Sequence, residues 1–386
     1  MKIAVDGSLL SGVRSGVEHA ILGLVTGLSR VRTTDTVLLY VGKKFRVDGL
    51  PGGCVKLRRS WGAGRRRLPR IIWQQTLLPA YARAERVDVF HGPGYVLPAL
   101  GSIPAVVTVY DIIALTRPEL CRRSNVAHYR RVLPRSVRRA RRIIVPTQAV
   151  ARQIADVLGA SEERIRVIPC GVDARFRPAP DAEQKALRLA LGLPGRFVLF
   201  VGNLEPKKNL VMLVRAFFAA KANRRLPHKL VLAGRYAWKY RPILDEIESL
   251  GIEDDVVLPG YVPREALPAL YSAAEMFVFP SLVEGFGLPP LEAMACGTPA
   301  IVSKDPALRE STGGAALEVD AEDLPGLRDA IEALAGKPEL RAELARKGRD
   351  RAAQFTWGKA AQATFAVYRE AAESARTDVR PEDLLK

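Results

Sequence analysis

The chain has 386 residues, about half of them hydrophobic, and a net charge of +18. This composition excludes a disordered or fibrous protein, and the length suits two domains. No apolar run approaches the ~20 residues needed to span a bilayer. The N-terminal MKIAVDGSLL predicts a first strand and not a signal peptide. A cytoplasmic location is therefore expected, with peripheral association at the inner face of the cell membrane left open.

The positive charge lies in the first half of the chain. Residues 1–180 carry 31 Lys and Arg against 12 Asp and Glu, a net +19, whereas residues 181–386 carry 28 against 29, a net −1. Two clusters dominate, 58-RRSWGAGRRRLPR-70 and 130-RRVLPRSVRRARR-142. With Trp61 and Trp73 they predict a face for an anionic membrane surface or a phosphorylated acceptor. A nucleic-acid partner and a merely solvated basic surface are the alternatives.

Short β-branched runs alternate with amphipathic helical stretches, which predicts parallel sheets with helical crossovers. The expected strands before a Pro-rich linker at 175–181 are residues 2–6, 36–41, 87–92, 105–111, 142–147 and 164–173. Those after the linker are 197–203, 229–234, 256–261, 276–281 and 298–303.

This pattern predicts an α/β protein with two Rossmann-like, doubly wound domains that face each other across a cleft. The expected bounds are 1–175 for the N-terminal domain and 190–356 for the C-terminal domain. A final helix, at about 357–386, is expected to rejoin the N-terminal domain. Ligands of such sheets bind beyond the C-terminal strand ends, so the residues that follow each strand are the site candidates.

The first such loop is 7-GSLLSGVRSGVEHA-20, in which Gly7, Gly12 and Gly16 precede a helix expected to begin near Val17. Backbone amides and the helix dipole there favour an anion. The spacing is not G-x-G-x-x-G, so a dinucleotide site is unsupported. A flexible glycine turn without a ligand is the alternative.

A second loop, 201-VGNLEPKKNL-210, follows the first strand of the C-terminal domain. Gly202 ends the strand, and Lys207 and Lys208 stand at the start of the next helix. A lysine beside exposed helix amides suits a phosphate, because charge and dipole act together. Walker spacing is absent, and a solvated lysine pair is the alternative.

The third loop lies in 276-MFVFPSLVEGFGLPPLEAMACGTPAIVS-303. A helix is expected to begin near Leu288, since prolines are tolerated in a first helical turn. Glu284 then lies in the loop and Glu292 in the helix, with the amides of residues 285–288 between them. Carboxylates bind neighbouring sugar hydroxyls well, and amides bind phosphate. The arrangement therefore matches a nucleoside diphosphate sugar.

At these residues the chain resembles a known family. E-G-F-G-L-P-x-L-E, followed by G-x-P-x-I-x-S, resembles the EX7E signature of retaining glycosyltransferases of family 4, the group 1 or mannosyltransferase-like enzymes, which have the GT-B fold. The similarity covers nearly the whole chain, because further motifs occur in the expected order. These are PxxVTVYD (104–111), RRIIVPTQAVARQI (141–154), RIRVIPCGVD (164–173), VGNLEPKKNL (201–210) and GYVPREALPALYSAAEMFVFPS (260–281).

The resemblance implies roles for particular residues. Glu284 would contact the donor sugar near C3 and C4, Glu292 the ribose hydroxyls, and Lys208 the diphosphate. The residues expected to bind the donor are Gly16, Gly202, Asn203, Lys208, Tyr261, Val262, Glu284, Gly285, Phe286, Gly287, Leu288 and Glu292. No metal or cofactor is implied, because lysine and the helix dipole replace a cation. The donor base remains open among UDP, GDP and dTDP.

Two positions depart from the family pattern. Asn203 stands where the family often has Arg, and Tyr110 stands where it commonly has His, in the acceptor or sugar pocket. Asp111 either takes part in catalysis with Glu284 and Lys208 or is tied to loop amides. His91, in 91-HGPGY-95, either lines the acceptor pocket or is a structural histidine.

The expected activity is retaining transfer of a hexosyl or deoxyhexosyl group, of mannosyl, glucosyl or rhamnosyl type. The donor would be a nucleotide diphosphate sugar and the acceptor a hydroxyl of a glycan or lipid-linked glycan in polysaccharide synthesis. The alternatives are a sugar-nucleotide epimerase, a soluble sucrose- or glycogen-type synthase, and a nucleic-acid-binding regulatory protein. No nucleic-acid partner is expected if the family resemblance holds.

Overall fold

The computed structural model describes residues 1–10, 15–43, 45, 52–60, 67–224 and 226–377. They divide into two units by their internal contacts. Unit 1 comprises Met1–Pro118, Arg123–Gly171 and the described residues from Thr356 onward, and unit 2 comprises Glu119–Arg122 and Val172–Phe355. The main segment of unit 2 is therefore inserted between two parts of unit 1, and it begins at Val172, ahead of the Pro-rich stretch.

Unit 1 is built on a parallel sheet. Its described strands are β1 (Lys2–Asp6), β2 (Thr36–Gly42), β3 (Val55–Ser60), β4 (Val89–Gly92), β5 (Ala105–Thr108), β6 (Arg142–Val145) and β7 (Ile165–Val167). Their order across the sheet is β3-β2-β1-β4-β5-β6-β7. Alternate residues of β1 enter different core clusters, Ile3 and Val5 on one face and Ala4 on the other.

Unit 2 contains a second parallel sheet. Its described strands are β8 (Phe197–Val201), β9 (Lys229–Ala233), β10 (Val256–Gly260), β11 (Met276–Phe279), β12 (Ala300–Ser303) and β13 (Leu317–Val319). Their order is β10-β9-β8-β11-β12-β13, so the direction of chain progression reverses between β8 and β11. That reversal opens the crevice in which doubly wound sheets bind ligands.

Helices connect and cover the strands of both sheets. In chain order they are α1 (Gly16–Arg30), α2 (Arg67–Gln75), α3 (Leu77–Ala84), α4 (Ile113–Thr116), α5 (Arg123–Arg139), α6 (Gln148–Leu158), α7 (Asp181–Leu191), α8 (Leu210–Arg224), α9 (Arg241–Ser249), α10 (Leu267–Ala273), α11 (Leu288–Ala295), α12 (Pro306–Thr312), α13 (Leu324–Gly336), α14 (Pro338–Ala352) and α15 (Trp357–Thr377). None of the helices in the described ranges is both long and apolar enough to cross a membrane.

The last helix, α15, packs on α1 within unit 1. Two glycines of α1 make the close approach possible, because an added Cβ on Gly23 would lie 2.1 Å from the Trp357 ring and one on Gly27 would lie 2.3 Å from the Trp357 carbonyl oxygen. Further along α15, Phe365 and Tyr368 are buried in the same cluster as β1 and β2. The helix is therefore part of the unit 1 core.

The prediction of two parallel α/β sheets is confirmed, and each predicted strand corresponds to an observed one. The sequence missed β3 and β13, which lie at sheet edges. β3, with the sequence VKLRRS, carries three basic residues, and β13 has only three residues. An edge strand has a neighbouring strand on one side only, so it can be short and can carry charged residues. It therefore lacks the continuous apolar run that indicates a buried strand.

One expectation about the basic face is wrong. Trp73 is 1% exposed and packs in the unit 1 core, so it is not part of a surface that meets a membrane. Its helix buries one face against the sheet, and the tryptophan lies on that face. Trp61, Gly12 and the C-terminal residues 378–386 lie outside the described residues.

Candidate active site

The loops that follow β8 and β11 lie side by side in unit 2, because these strands are neighbours at the reversal point. The amide of Leu282 donates to the carbonyl of Lys207 at 2.8 Å, which joins the two loops directly. Both candidate motifs, residues 201–210 and 284–292, are thus brought to one edge of one sheet.

The backbone after β8 fixes the position of Lys208. Pro206–Lys208 forms one turn of 3₁₀ helix, and Asn209 then adopts a left-handed conformation with φ +56°. Asparagine tolerates that region better than most residues. Its side chain also donates to the carbonyl of Ala321 at 2.8 Å, so the turn that carries Lys208 is anchored on both sides.

Lys208 and Glu284 form a buried ion pair. The two side chains are only 10% and 11% exposed, and the Lys208 ammonium also lies 4.5 Å from the centre of the Phe279 ring. Burial raises the pKa of Glu284, but the charges of Lys208 and Lys207 outweigh it and hold that pKa below its ordinary value. For Lys208, burial lowers the pKa and outweighs the attraction of Glu284.

The turn between β11 and α11 depends on Gly287. Its φ is +95°, and an added Cβ would lie 2.4 Å from Cδ2 of Leu308 in α12. α11 begins at the next residue, with prolines in its first turn where no intrahelical amide bond is lost. The first-turn amides of the helix are therefore directed at the loop that carries Glu284.

Replacing Gly287 by Ala is expected to destabilise the protein by about 2–4 kcal/mol, through left-handed strain and overpacking. It should also abolish turnover, because the start of α11 must shift. Gly192→Ala is the matched control, since Gly192 has φ +61° and nothing within 4 Å of the added Cβ. Urea unfolding of both variants would separate strain from collision, and equal losses would contradict the close packing against Leu308.

Glu292 is buried on the next turns of α11. It is 4% exposed; Nη2 of Arg264 lies 3.0 Å from its Oε1, and the Tyr271 hydroxyl donates to its Oε2 at 3.3 Å. Burial raises the pKa of Glu292 above its ordinary value, although Arg264 and Tyr271 act in the opposite direction. The expected ribose-binding carboxylate is thus held by two side chains that the sequence analysis did not single out.

Asp305 is a further acidic residue at this edge. It caps α12, and its Oδ1 accepts hydrogen bonds from the amides of Ala307 and Leu308 at 3.0 and 3.1 Å. The Glu284 amide lies 3.4 Å from its Oδ2. Burial, with a contribution from the Glu284 charge, raises the pKa of Asp305 from 3.8 to about 6. The Asp-Pro pair before a helix is a recognised N-cap signal that could have identified this residue.

Asp305→Asn is expected to change the pH dependence of stability. The folded carboxyl holds its proton up to about pH 6, whereas the unfolded one releases it near 3.8. Stability from this group is therefore full at low pH and is lost as pH rises through about 6, by about 2–3 kcal/mol. Asparagine keeps the cap, so unfolding at about pH 4.5 and about pH 7.5 should show wild type losing stability relative to the variant. A pH-independent difference would contradict the raised pKa.

The other expected donor-binding residues of unit 2 differ in exposure. Tyr261 is 44% exposed, with the Arg235 guanidinium 4.2 Å from its ring centre, while Val262 is buried. Asn203 is exposed directly after Gly202. Phe286 is buried, its ring centre 5.6 Å from that of Phe355, so only its backbone is left to meet a ligand.

Asp111 and Tyr110 belong to unit 1. The Asp111 carboxylate accepts from the Ile113 amide at 3.2 Å and from the Tyr95 hydroxyl at 3.1 Å. These bonds match the alternative in which Asp111 is tied to its loop. Tyr95 has φ +70°, unusual for an aromatic residue, and its ring packs edge-on against Tyr110 with 5.8 Å between centres.

His91 is completely buried in unit 1. Its ring nitrogens lie 2.8 Å from the Tyr368 hydroxyl and 2.8 Å from Oγ1 of Thr108. Burial lowers the pKa of His91 to about 3, so the imidazole is neutral. His91 is thus buried with both ring nitrogens next to hydroxyl partners, an arrangement that agrees with the structural alternative.

Gly16 is exposed at the first position of α1. Ser15 and Glu18 form a capping box around it, with the Ser15 amide donating to Glu18 at 2.8 Å and the Glu18 amide donating to Oγ of Ser15 at 3.3 Å. The sequence S-G-V-E carries the S-x-x-E spacing of this motif, so the cap was readable in advance. The negative charge of Glu18 in the first turn already interacts with the positive end of the α1 dipole, which is the same interaction that would attract a bound anion.

Comparisons with known proteins match both parts of the chain. Residues 184–351 match the family of glycosyl transferases group 1, and residues 14–176 match glycosyltransferase family 4. The O-antigen chain mannosyltransferase B of Escherichia coli is 30% identical over 368 residues, covering 92% of this chain and 96% of that protein. The D-inositol 3-phosphate glycosyltransferase of Acidothermus cellulolyticus is 33% identical over 287 residues, covering 71% and 64%.

The structure resembles that of Anabaena Alr3699/HepE in complex with UDP and glucose, with a TM-score of 0.71 and 21% identity. The superposition covers 98% of this chain and 100% of that one. Together with the two parallel sheets, this likeness shows the GT-B fold.

Proposed function

The chain belongs to the group 1 glycosyltransferases of family 4, and from that premise we propose that it is a retaining, metal-independent hexosyltransferase. The donor is a nucleotide diphosphate sugar, and the acceptor is a hydroxyl of a glycan or lipid-linked glycan. A mannosyl group is the first sugar to consider, because the mannosyltransferase relative matches over almost its full length. The UDP bound by the structural neighbour supports a nucleotide donor.

The observation that carries this proposal is the buried Lys208–Glu284 pair at the reversal point of the unit 2 sheet. Lys208 is 10% exposed and places a positive charge against the loop that leads into α11. A diphosphate bound there would be stabilised by that charge and by the helix dipole. Glu284, whose pKa is held low, is ionised and can accept hydrogen bonds from sugar hydroxyls. Glu292, buried on α11, supplies a second carboxylate.

In the proposed step, the bond between the sugar C1 and the diphosphate oxygen breaks while the acceptor oxygen bonds to C1 on the same face. The acceptor proton passes to the departing phosphate oxygen, so no protein base is required. Lys208 and the α11 amides stabilise the negative charge that develops on the diphosphate, with no metal taking part. Glu284 orients the sugar and is not a nucleophile.

The experiment that tests this proposal begins with UDP-, GDP- and dTDP-sugars as thermal stabilisers of the purified full chain, because a ligand raises stability by mass action. The stabilising donor should be hydrolysed slowly without acceptor, releasing the sugar with its anomeric configuration retained, as read by NMR. Inverted product would contradict the retaining mechanism. If none of the nucleotide sugars stabilises the protein, the whole proposal is contradicted.

The same assay separates the other enzymatic alternatives. Conversion of the donor into a second nucleotide sugar without acceptor would indicate an epimerase. Efficient transfer to a soluble sugar phosphate in place of a lipid-linked acceptor would favour a phosphorylated acceptor, which is consistent with the inositol phosphate relative and the arginines of unit 1. A purely nucleic-acid-binding role would show no turnover at all.

A further inference from the structure

Tyr95 lies in the loop after β4 and has a backbone conformation that non-glycine residues rarely adopt. Its φ of +70° is left-handed, which is strained for a bulky aromatic residue. Strain of this kind persists only where the surrounding structure holds the residue in place, and it concentrates at functional sites. A strained residue in a tight loop indicates that its side chain is required in one position.

The loop that carries Tyr95 lies at the reversal point of the unit 1 sheet. Chain progression reverses between β1 and β4, and doubly wound sheets bind ligands at such a point. An added Cβ on Gly94 would lie 2.2 Å from Cδ1 of Leu9, so the loops after β1 and β4 are in direct contact. The Tyr95 amide also donates to the carbonyl of Thr108, the last residue of β5, at 3.1 Å. The backbone of Tyr95 is therefore fixed at the edge of the sheet where a ligand of unit 1 is expected.

The side chain of Tyr95 is held by other aromatic rings. Tyr95 is 6% exposed, and its ring centre lies 5.8 Å from that of Tyr110, in an edge-on contact, and 5.2 Å from that of Tyr129 in α5. Aromatic pairs at these separations stabilise each other beyond the area that they bury. The ring therefore has little freedom, and its hydroxyl group is held in one place.

The Tyr95 hydroxyl donates to Oδ2 of Asp111 at 3.1 Å. Burial raises the pKa of Tyr95 well above its ordinary value, and the charge of Asp111 raises it further, so the hydroxyl keeps its proton and donates. Asp111 is half-buried, and its Oδ1 accepts from the Ile113 amide at 3.2 Å. A carboxylate has sites for about four hydrogen bonds, so these two contacts orient Asp111 and leave each oxygen able to accept another.

We propose that Tyr95 is a positioning residue for glycosyl transfer, whose hydroxyl orients the Asp111 carboxylate toward neighbouring hydroxyls of an acceptor sugar. A carboxylate accepts from two such hydroxyls with charge assistance. The acceptor ring is thereby oriented for attack by another of its hydroxyls, and Asp111 takes no proton. Tyr95 acts only through Asp111, because it is itself buried. The inference rests on the proposed function and adds to it the recognition of the acceptor in unit 1.

The test uses the purified full chain, the nucleotide sugar that stabilises it, and three acceptor probes: octyl α-mannoside, octyl α-glucoside and octyl α-rhamnoside. Tyr95→Phe removes the hydroxyl and keeps the ring. Its kcat/KM for the glycoside that is accepted should fall by about 10–100-fold, because a small misplacement of an orienting group costs up to ~10² in rate. Thermal stabilisation by the nucleotide sugar should equal that of wild type, because the candidate donor site belongs to unit 2.

Two further variants separate positioning from stability. Asp111→Asn should lose at least as much kcat/KM as Tyr95→Phe, and the double variant should be no worse than Asp111→Asn, since Tyr95 acts through Asp111. Tyr368→Phe is the matched control, because it removes a buried hydroxyl of unit 1 that lies 2.8 Å from Nδ1 of His91. This control should lower the thermal midpoint by a few degrees and leave kcat/KM unchanged.

The inference fails if Tyr95→Phe keeps wild-type kcat/KM, or if its loss and that of Asp111→Asn are additive. A loss of transfer that Tyr368→Phe shares would assign Tyr95 a purely structural role. Donor hydrolysis without transfer to any of the three glycosides would show that neighbouring sugar hydroxyls are not what Asp111 recognises. Each of these results leaves the donor chemistry intact, whereas a wild-type protein that no nucleotide sugar stabilises would contradict the proposed function and this inference together.

Discussion

Lys208→Met and Glu284→Gln are each expected to destabilise unit 2 by about 3–5 kcal/mol, because each leaves a buried charge without its partner. The double variant should recover most of that loss, since both charges are then gone. Turnover should fall by about 10²–10³ in all three proteins, because the charge facing the diphosphate, the carboxylate facing the sugar, or both, are missing. Urea unfolding and kcat measurements on the four proteins complete the cycle.

An exposed pair in the same unit provides the control for this cycle. Lys347 and Glu343 pair at 2.6 Å across one helical turn of α14, with side chains 46% and 51% exposed. Their coupling should be far smaller than that of the buried pair, because solvent screens an exposed pair. A coupling equally small between Lys208 and Glu284 would contradict the burial of that pair. Wild-type turnover in Lys208→Met would remove Lys208 from the proposed mechanism.

Arg264→Met is expected to have the second largest effect, through Glu292. Without the guanidinium at 3.0 Å, burial raises the pKa of Glu292 further, and ionising it in the folded protein costs more. A raised folded pKa gives stability that is present at low pH and is lost as pH rises through that pKa. The variant should therefore approach wild type in acid and lose about 3–5 kcal/mol near neutral pH.

Donor binding by the Arg264→Met variant should weaken by about 10–100-fold near neutral pH, the size of effect found for partners that orient metal-ligating side chains. Arg264→Met/Glu292→Gln should regain stability without regaining affinity for the donor, because the ribose loses its carboxylate. Tyr271→Phe removes one hydrogen bond of 3.3 Å and should cost only about 1 kcal/mol. A stability defect of Arg264→Met that stays constant with pH would show that Glu292 is not the group left unpaired.

The sequence predicted the elements that depend on continuous apolar runs and on motifs close in the chain. Strands such as 197–203 and 276–281 are buried on both faces, so they carry an unambiguous signal. Because parallel strands end at the same sheet edge, the loops with Lys208 and Glu284 were expected to share one site. The structure adds that the two side chains pair with each other, which their separate motifs did not indicate.

Contacts between distant parts of the chain could not be read in this way. Arg264 is a single basic residue in G-Y-V-P-R-E, and nothing local shows that it pairs with Glu292. Trp73 lies close to arginines in the sequence, but it is on the face of helix α2 that packs in the unit 1 core. His91 lies near the end of strand β4, close to where site residues are expected, yet its partner Tyr368 comes from the last helix. Tertiary packing decides each of these cases.

The insertion of unit 2 into unit 1 sets an order for folding during synthesis. Apart from a short segment, unit 2 is continuous from Val172 to Phe355, so a ribosome delivers all of its strands before α15 is made. Unit 1 lacks α15 until then, and with it Phe365 and Tyr368 of its core. Domains generally fold as units in the order of synthesis. Because unit 1 lacks α15 until the end of synthesis, unit 2 completes its core first, and a chain stopped before Trp357 leaves unit 1 with an open hydrophobic face for chaperones to recognise.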